Sequence, residues 1–427
     1  MESRLLAILL VLPLVIACPL TPPPAEPGPV SYRPGRMFDS AVTALRRQYY
    51  DTAFVHAHLD ALREEFRPAA VAASDDSLER EVIRQFLGRF PASHLALLSA
   101  QERDAIWYDL AGEKHLMFGM QLIESNGRYF ASMVLTGGPA YTAGIRDGDE
   151  IAAIDSVPPA RSRHRDWRED DIYLPDERDP PTYGLRWVPG PPLDLLVVRA
   201  PGGDSTVIRV SPGTYSALDA TRASIRVITR DSVRVGYIRW WYMHTSGLVA
   251  GFRKALQGPL ALSQALVLDL RGRGGSETAV LDVLRLLAPG KKRRFNGPIV
   301  ALIDRQTRSA KERLAYELRA QGLGRLVGEP TAGAYIGAGF ADLDRNVVLM
   351  FPTTGKAPNP FTPLIEGHPV QPDVAVPWAG PYAGRQDPVI EAGIAEAIRL
   401  VRSTVRNSSG FATSIWRGGA GWRMSEP

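Results

Sequence analysis

The chain has almost no cysteine. Cys18 is the only one in 427 residues, so no disulfide can form within one molecule. Strong charge of either sign is also missing. Fifty Lys and Arg against 46 Asp and Glu leave a formal net charge of +4. That small excess is scattered along the chain, which argues against a nucleic-acid partner. The run Lys291 to Arg294 is read as a solvated turn. Histidine is sparse, with seven residues, and none falls into a cluster with metal-ligand spacing. His56 and His58 alone are too few for zinc, and no metal or organic cofactor is implied. Apart from Leu5 to Ile16, which is too short to cross a bilayer comfortably, no long apolar run stands out. What the chain does have is bulk: 45% hydrophobic residues over this length can fill the cores of two or three domains.

The apolar run near the start follows Arg4 and leads into Ala17-Cys18 and then a proline-rich stretch, the order of a secretion signal. Val15-Ile16-Ala17-Cys18 resembles the bacterial lipobox, in which cleavage leaves the cysteine as a lipidated N-terminus. The resemblance implies a lipid anchor at Cys18, a chain attached to a membrane rather than spanning it. Residue 19 is proline rather than aspartate, so the inner-membrane retention signal is missing and the outer membrane or cell surface is expected.

Pro19 to Arg36 lacks apolar periodicity and reads as an extended tether. From Met37 the spacing of Phe38, Val42, Leu45, Tyr49, Phe54, Leu59, Leu62 and Phe66 predicts helix, and Leu78 to Phe90 predicts another. Between about 111 and 215 the pattern changes to short strands and Gly/Asp-rich turns. Here Phe118-Gly119-Met120, Gly137 to Ala140, and Ala143-Gly144 to Ile151 together resemble a PDZ domain. That resemblance implies peptide capture by strand addition, with the amides of Phe118, Gly119 and Met120 receiving a terminal carboxylate. Pro158 to Pro192 is polar and proline-rich and is expected to be a long loop. From Val233 onward apolar strands alternate with helical stretches around 245–257, 277–288 and 309–320, which predicts an α/β layer architecture. A last helix is expected over 387–402, followed by a loose tail.

The chemistry centres on Arg308-Ser309-Ala310-Lys311-Glu312, directly after the apolar run Pro298 to Ile303. A serine at the start of a helix faces free N–H groups and the positive end of the helix dipole, which favours an alkoxide and an oxyanion. Ser-x-x-Glu is equally the capping-box pattern, so the pentapeptide leaves both roles open.

The wider constellation decides between them. Gly236-Tyr237-Ile238, Asp269 to Arg271 with Gly274-Gly275, Ser309 to Glu312, Gly328 to Thr331, and Glu366 to Val374 follow one another as in the tail-specific, or C-terminal processing, serine peptidases. That family includes the tricorn core and the interphotoreceptor retinoid-binding repeats. The resemblance implies an α/β multidomain protein in which an N-terminal helical domain and a PDZ-like β domain precede a ClpP/crotonase-like α/β catalytic core. The implied division is signal peptide 1–17, tether 18–36, helical domain 37–110, PDZ-like domain 111–215, core 216–402 and tail 403–427.

One departure matters. Dyad members of the family place a lysine where this chain has Ala334, and a serine without a base is a poor nucleophile. The tricorn-like branch uses a Ser-His pair from the helical segment and a late glutamate instead. Ser93-His94 and Glu366 stand in the matching places. The resemblance therefore implies Ser309 as nucleophile, His94 as general base, and Glu366 acting through Ser93 to orient the imidazole. The N–H of Ala310 and of a glycine in Gly274-Gly275 would form the oxyanion hole. Peptide or protein substrates follow from that reading. An inert PDZ scaffold and an apolar-ligand-binding protein on the same fold are the alternatives.

Overall fold

A computed structural model describes residues 32–168, 181–344, 346–353, 359–377 and 387–416. Cys18 and most of the tether lie outside them.

The first described unit is helical: α1 (Arg36–Gln48), α2 (Thr52–Ala72) and α3 (Asp76–Leu87). Their apolar faces close on a set of edge-to-face rings, with Phe86 5.0 Å from Phe38 and 5.2 Å from Phe90. The fully buried Glu79 accepts the Phe38 N–H at 3.0 Å. It thereby satisfies one of the donors that the start of α1 leaves open. Helical character was expected to continue to residue 110, and here the structure differs. A strand, β1 (Ala96–Leu98), intervenes before α4 (Ala100–Ala111). Three residues show no alternation, so only a distant partner could reveal this strand.

The second unit contains β2 (His115–Met117), β3 (Gln121–Ser125), β4 (Arg128–Ser132), α5 (Pro139–Thr142), β5 (Glu150–Ile154), β6 (Arg165–Arg168), β7 (Thr182–Leu185), β8 (Leu193–Val198), β9 (Ser205–Val210), β10 (Gly213–Tyr215) and α6 (Ala217–Ser224). Seven of these strands form one antiparallel sheet in the order β6-β7-β3-β4-β5-β8-β9. The expected long loop from Pro158 to Pro192 thus contains two strands. Tyr183 in β7 is drawn into the apolar core with Leu122, Tyr129 and Ile151, and that burial outweighs the polar, proline-rich surroundings.

The third unit runs β11 (Arg226–Arg230), β12 (Val233–Arg239), α7 (Leu248–Gln257), β13 (Ala265–Asp269), α8 (Thr278–Leu287), β14 (Ile299–Ile303), α9 (Ala310–Ala320), β15 (Arg325–Gly328), β16 (Ala338–Asp344), β17 (Val347–Pro352), α10 (Thr362–Ile365), β18 (Val374–Ala375) and α11 (Pro388–Trp416). Its six-stranded sheet has the order β11-β12-β13-β14-β15-β18 and is parallel from β12 to β18. Every residue of β13 and β14 is buried, as expected of strands covered on both faces. One face packs Leu268 and Ala301 against α7, α8 and α9. The other packs Val267 and Val300 against Ile394 and Ile398 of α11. Helix α11 continues to Trp416, past the expected end at 402. A helix already anchored by packing gains one hydrogen bond per added residue, so it extends through a sequence too polar to start one.

A separate three-stranded sheet, β1-β17-β16, ties the first unit to the third. Its register sets Ala96 opposite Met350 and Leu98 opposite Val348.

Candidate active site

The loops that leave the C-terminal ends of β13 and β14 meet at one place, where open α/β sheets present their ligand sites. The β13 loop carries Gly274 and Gly275, and the β14 loop carries Ser309. Ser309 has φ 55° and ψ −128°, a conformation that non-glycine residues rarely adopt. His94, just before β1, is also left-handed, with φ 60°. Such backbone strain persists only where the surroundings enforce it.

Those surroundings are visible for both residues. The Ser309 N–H is held by the Ala334 carbonyl at 2.8 Å and by Glu312 Oε2 at 3.2 Å. Glu312 is fully buried, and its carboxylate also accepts from Thr331 Oγ1, the Gly333 N–H and the Ala334 N–H at 2.5, 2.7 and 2.9 Å. Burial pushes the Glu312 carboxyl up to about 7, against the pull of those donors. Ala334, where a dyad enzyme would carry lysine, is fully buried. Its backbone, not its side chain, serves the serine.

Behind His94 lies a chain of hydrogen bonds. The Ser93 hydroxyl is 2.7 Å from His94 Nδ1 and donates to Glu366 Oε2 at 3.1 Å. The Ser93 N–H donates to Glu366 Oε1 at 2.8 Å, while the Tyr335 and Ile336 N–H groups reach Oε2 at 2.6 and 3.0 Å. With both carboxylate oxygens used as acceptors, the serine proton belongs to Glu366. The serine oxygen then accepts from Nδ1–H, which leaves the lone pair on Nε2. Burial, and next the positive charge of Arg308, lower the His94 pKa to about 3. The imidazole is therefore neutral across ordinary pH.

His94, Ser309, Ala310, Gly274 and Gly275 all line one cavity of about 1040 Å³. Ser93 and Glu366 stand behind the imidazole. The two glycines fit the site because nothing larger could. A Cβ on Gly274 would lie 2.7 Å from Ser309 Cβ and from the Arg308 carbonyl oxygen, and one on Gly275 would meet the Met243 backbone at 2.5 Å. Phe118, Gly119 and Met120 do not line this cavity. The Phe118 and Met120 side chains belong to the core of the seven-stranded sheet.

Sequence reasoning passed over two further groups. Lys311 is fully buried, with Nζ donating to the Trp241 and Arg271 carbonyls at 3.1 and 3.2 Å. It ties the loop after β12 to the loop that carries Gly275, and burial lowers its pKa to about 7. Asp109 of α4 is raised to about 7 by burial and by Glu102, and Arg273 opposes the shift. Arg273, the neighbour of Gly274, lies 3.5 Å from Glu102. Asp269 fixes its turn by pairing with Arg271 at 2.6 and 2.9 Å. Burial works to raise the Asp269 pKa, but Arg271, Arg239 and Tyr237 together hold it low.

A strained serine beside two glycines, lining a cavity shared with a neutral imidazole, is an arrangement suited to acyl transfer. Residues 287–376, which include Ser309, Ala310 and Glu366, match the model of Peptidase family S41. The chain is 23% identical over 403 residues to a putative tricorn protease homolog 2 of Streptomyces coelicolor. The alignment covers 86% of this chain and 32% of that protein, so the chain spans about a third of that relative's length. It is also 23% identical over 351 residues to a carboxyl-terminal-processing protease of Picosynechococcus sp., covering 77% of this chain and 80% of the other. Among solved structures, a photosystem II D1 C-terminal processing protease superposes with a TM-score of 0.47 at 22% identity, covering 80% of this chain and 93% of that one.

Proposed function

We propose that the protein is a lipid-anchored, extracytoplasmic serine endopeptidase working through a Ser309-His94-Ser93-Glu366 tetrad. The observation that carries this reading is the Glu366-Ser93-His94 hydrogen-bond chain, which orients an imidazole that lines one cavity with Ser309.

In this scheme Ser309 Oγ attacks the scissile carbonyl carbon and its proton passes to His94 Nε2. The carbonyl oxygen becomes an oxyanion facing the N–H groups of Ala310 and the Gly274-Gly275 turn. As the C–N bond breaks, the imidazolium gives its proton to the leaving amine. Water then attacks the acyl-enzyme, loses a proton to His94, and releases Ser309 with a new carboxylate on the product. Ser93 and Glu366 hold the imidazole in the tautomer that both halves of the cycle need.

Cys18 supplies the anchor, by acylation after cleavage at Ala17, and places the chain at the outer membrane or cell surface. Peptides or protein tails are the substrates. The test is labelling of the full chain with a serine-reactive fluorophosphonate, beside Ser309→Ala and His94→Ala. Labelling of the parent chain and its loss in both variants is the expected result. Labelling that survives in His94→Ala would remove the histidine from the mechanism.

A further inference from the structure

A peptide adds to a sheet only along a strand with an unpaired edge. The strand that follows Phe118-Gly119-Met120 is β3, and both of its edges are occupied. One side pairs with β4, Gln121 opposite Ser132 through Ser125 opposite Arg128. The other side pairs with β7, Gln121 opposite Gly184, Leu122 opposite Tyr183 and Ile123 opposite Thr182. The Glu124 N–H continues this ladder to the Pro181 carbonyl at 2.8 Å.

β7 is not lightly held. The Tyr183 side chain lies in the core of the sheet, its hydroxyl donates to Glu124 at 2.8 Å, and Arg165 from β6 covers its ring at 4.4 Å. The next strand is tied to the catalytic side as well: Asp166 of β6 accepts from the hydroxyl of Ser99, the cap of α4, at 2.8 Å. Finally, Gln121 and Thr182, two ladder positions apart on the paired strands β3 and β7, line the cavity that holds His94 and Ser309.

We propose that β7 is the permanent occupant of the β3 edge, so that the seven-stranded sheet captures no tail peptide and instead serves, through Gln121 and Thr182, as a specificity wall of the catalytic cavity. The loop at Phe118 to Met120 is then a structural turn. The wall half of the proposal rests on the peptidase reading; the occupancy half does not.

Occupancy is tested by binding, in the full chain carrying Ser309→Ala so that no probe is consumed. The probes are a fluorescent decapeptide with three apolar C-terminal residues and a free carboxylate, and its C-terminal amide. Hydrogen exchange at 121–125 and 182–185 is followed with and without peptide. The expected result is no carboxylate-dependent rise in anisotropy, with β3 and β7 amides protected to a similar degree. Saturable binding of the acid form that deprotects 182–185 would overturn the proposal by showing that β7 yields to a peptide. The wall is tested by Thr182→Arg and Gln121→Ala with a peptide library. A change of about tenfold or more in the ranking of kcat/KM at one substrate position is expected, with fluorophosphonate labelling of Ser309 serving as the control that the site is assembled. An unaltered ranking with full labelling would overturn it. A parent chain that neither labels nor cleaves would defeat the peptidase reading, and the binding arm would still decide occupancy.

Discussion

Ser93 and Glu366 share two hydrogen bonds, one from the Ser93 N–H at 2.8 Å and one from its hydroxyl at 3.1 Å. This double attachment fixes both the position of residue 93 and the direction in which its proton points. In Glu366→Gln one acceptor becomes a donor, and the Ser93 proton is free to turn toward Nδ1 and select the wrong imidazole tautomer. A loss in kcat of about 10²- to 10⁴-fold is expected, comparable to other losses of the orienting carboxylate, while the fold is retained. Turnover at the parent rate would show that the pair is structural only.

The neutral state of His94 makes a second expectation. An ordinary histidine titrates near 6.5, but burial and then Arg308 bring this one to about 3. The pH profile of kcat/KM is therefore expected to remain level between about pH 5 and 8, without the usual acid limb near 6.5. Arg308→Gln removes one of the two causes and should move any acid limb upward. A parent profile that falls with an apparent pKa near 6.5 would contradict the assignment.

Lys311 and Glu312 are adjacent, both buried, and shifted in opposite directions toward about 7. Lys311 lies below its ordinary 10.5, so between about 7 and 10.5 the unfolded chain binds more protons and stability rises with pH. Glu312 lies above its ordinary 4.5, so between 4.5 and about 7 the folded chain binds more protons and stability falls as pH rises. Together the two give a minimum near neutrality. Urea midpoints at several pH values should show Lys311→Met flattening the alkaline arm and Glu312→Gln flattening the acid arm. Parallel curves for parent and variants would refute both shifts.

Ala334→Lys tests the divergence from the dyad enzymes. The Ala334 side chain is buried, and its backbone already holds Ser309 and Glu312. A lysine there is expected to destabilise the chain by about 2–5 kcal/mol, because an uncompensated charge enters the interior. No gain in labelling or hydrolysis is expected. A variant that remains active after His94→Ala is added would show that a lysine can replace the tetrad.

The sequence was most informative where the signal lies within one segment. The continuous apolar runs of β13 and β14 announced buried parallel strands because both faces are covered. Ser309, His94 and Glu366 were singled out through the order of motifs that carries the family resemblance, and the structure brings Ser309 and His94 to one cavity with Glu366 bonded to Ser93. β1 was missed because Ala96 to Leu98 has no periodicity of its own and is a strand only through Val348 to Met350. β7 was missed for the same reason, since its partners lie in β3. Lys311 looks like a surface residue of an amphipathic helix. Only the convergence of the Trp241 and Arg271 carbonyls explains its burial.

The small sheet that joins β1 to β17 also sets a timetable. During synthesis His94 emerges early, yet the strand that holds β1 is not made until residues 347–352, and Glu366 comes later still. A ribosome therefore handles a chain in which His94 has no fixed seat and Ser93 has no Glu366 to hold it. The arrangement around His94 forms only after residue 366 has been made.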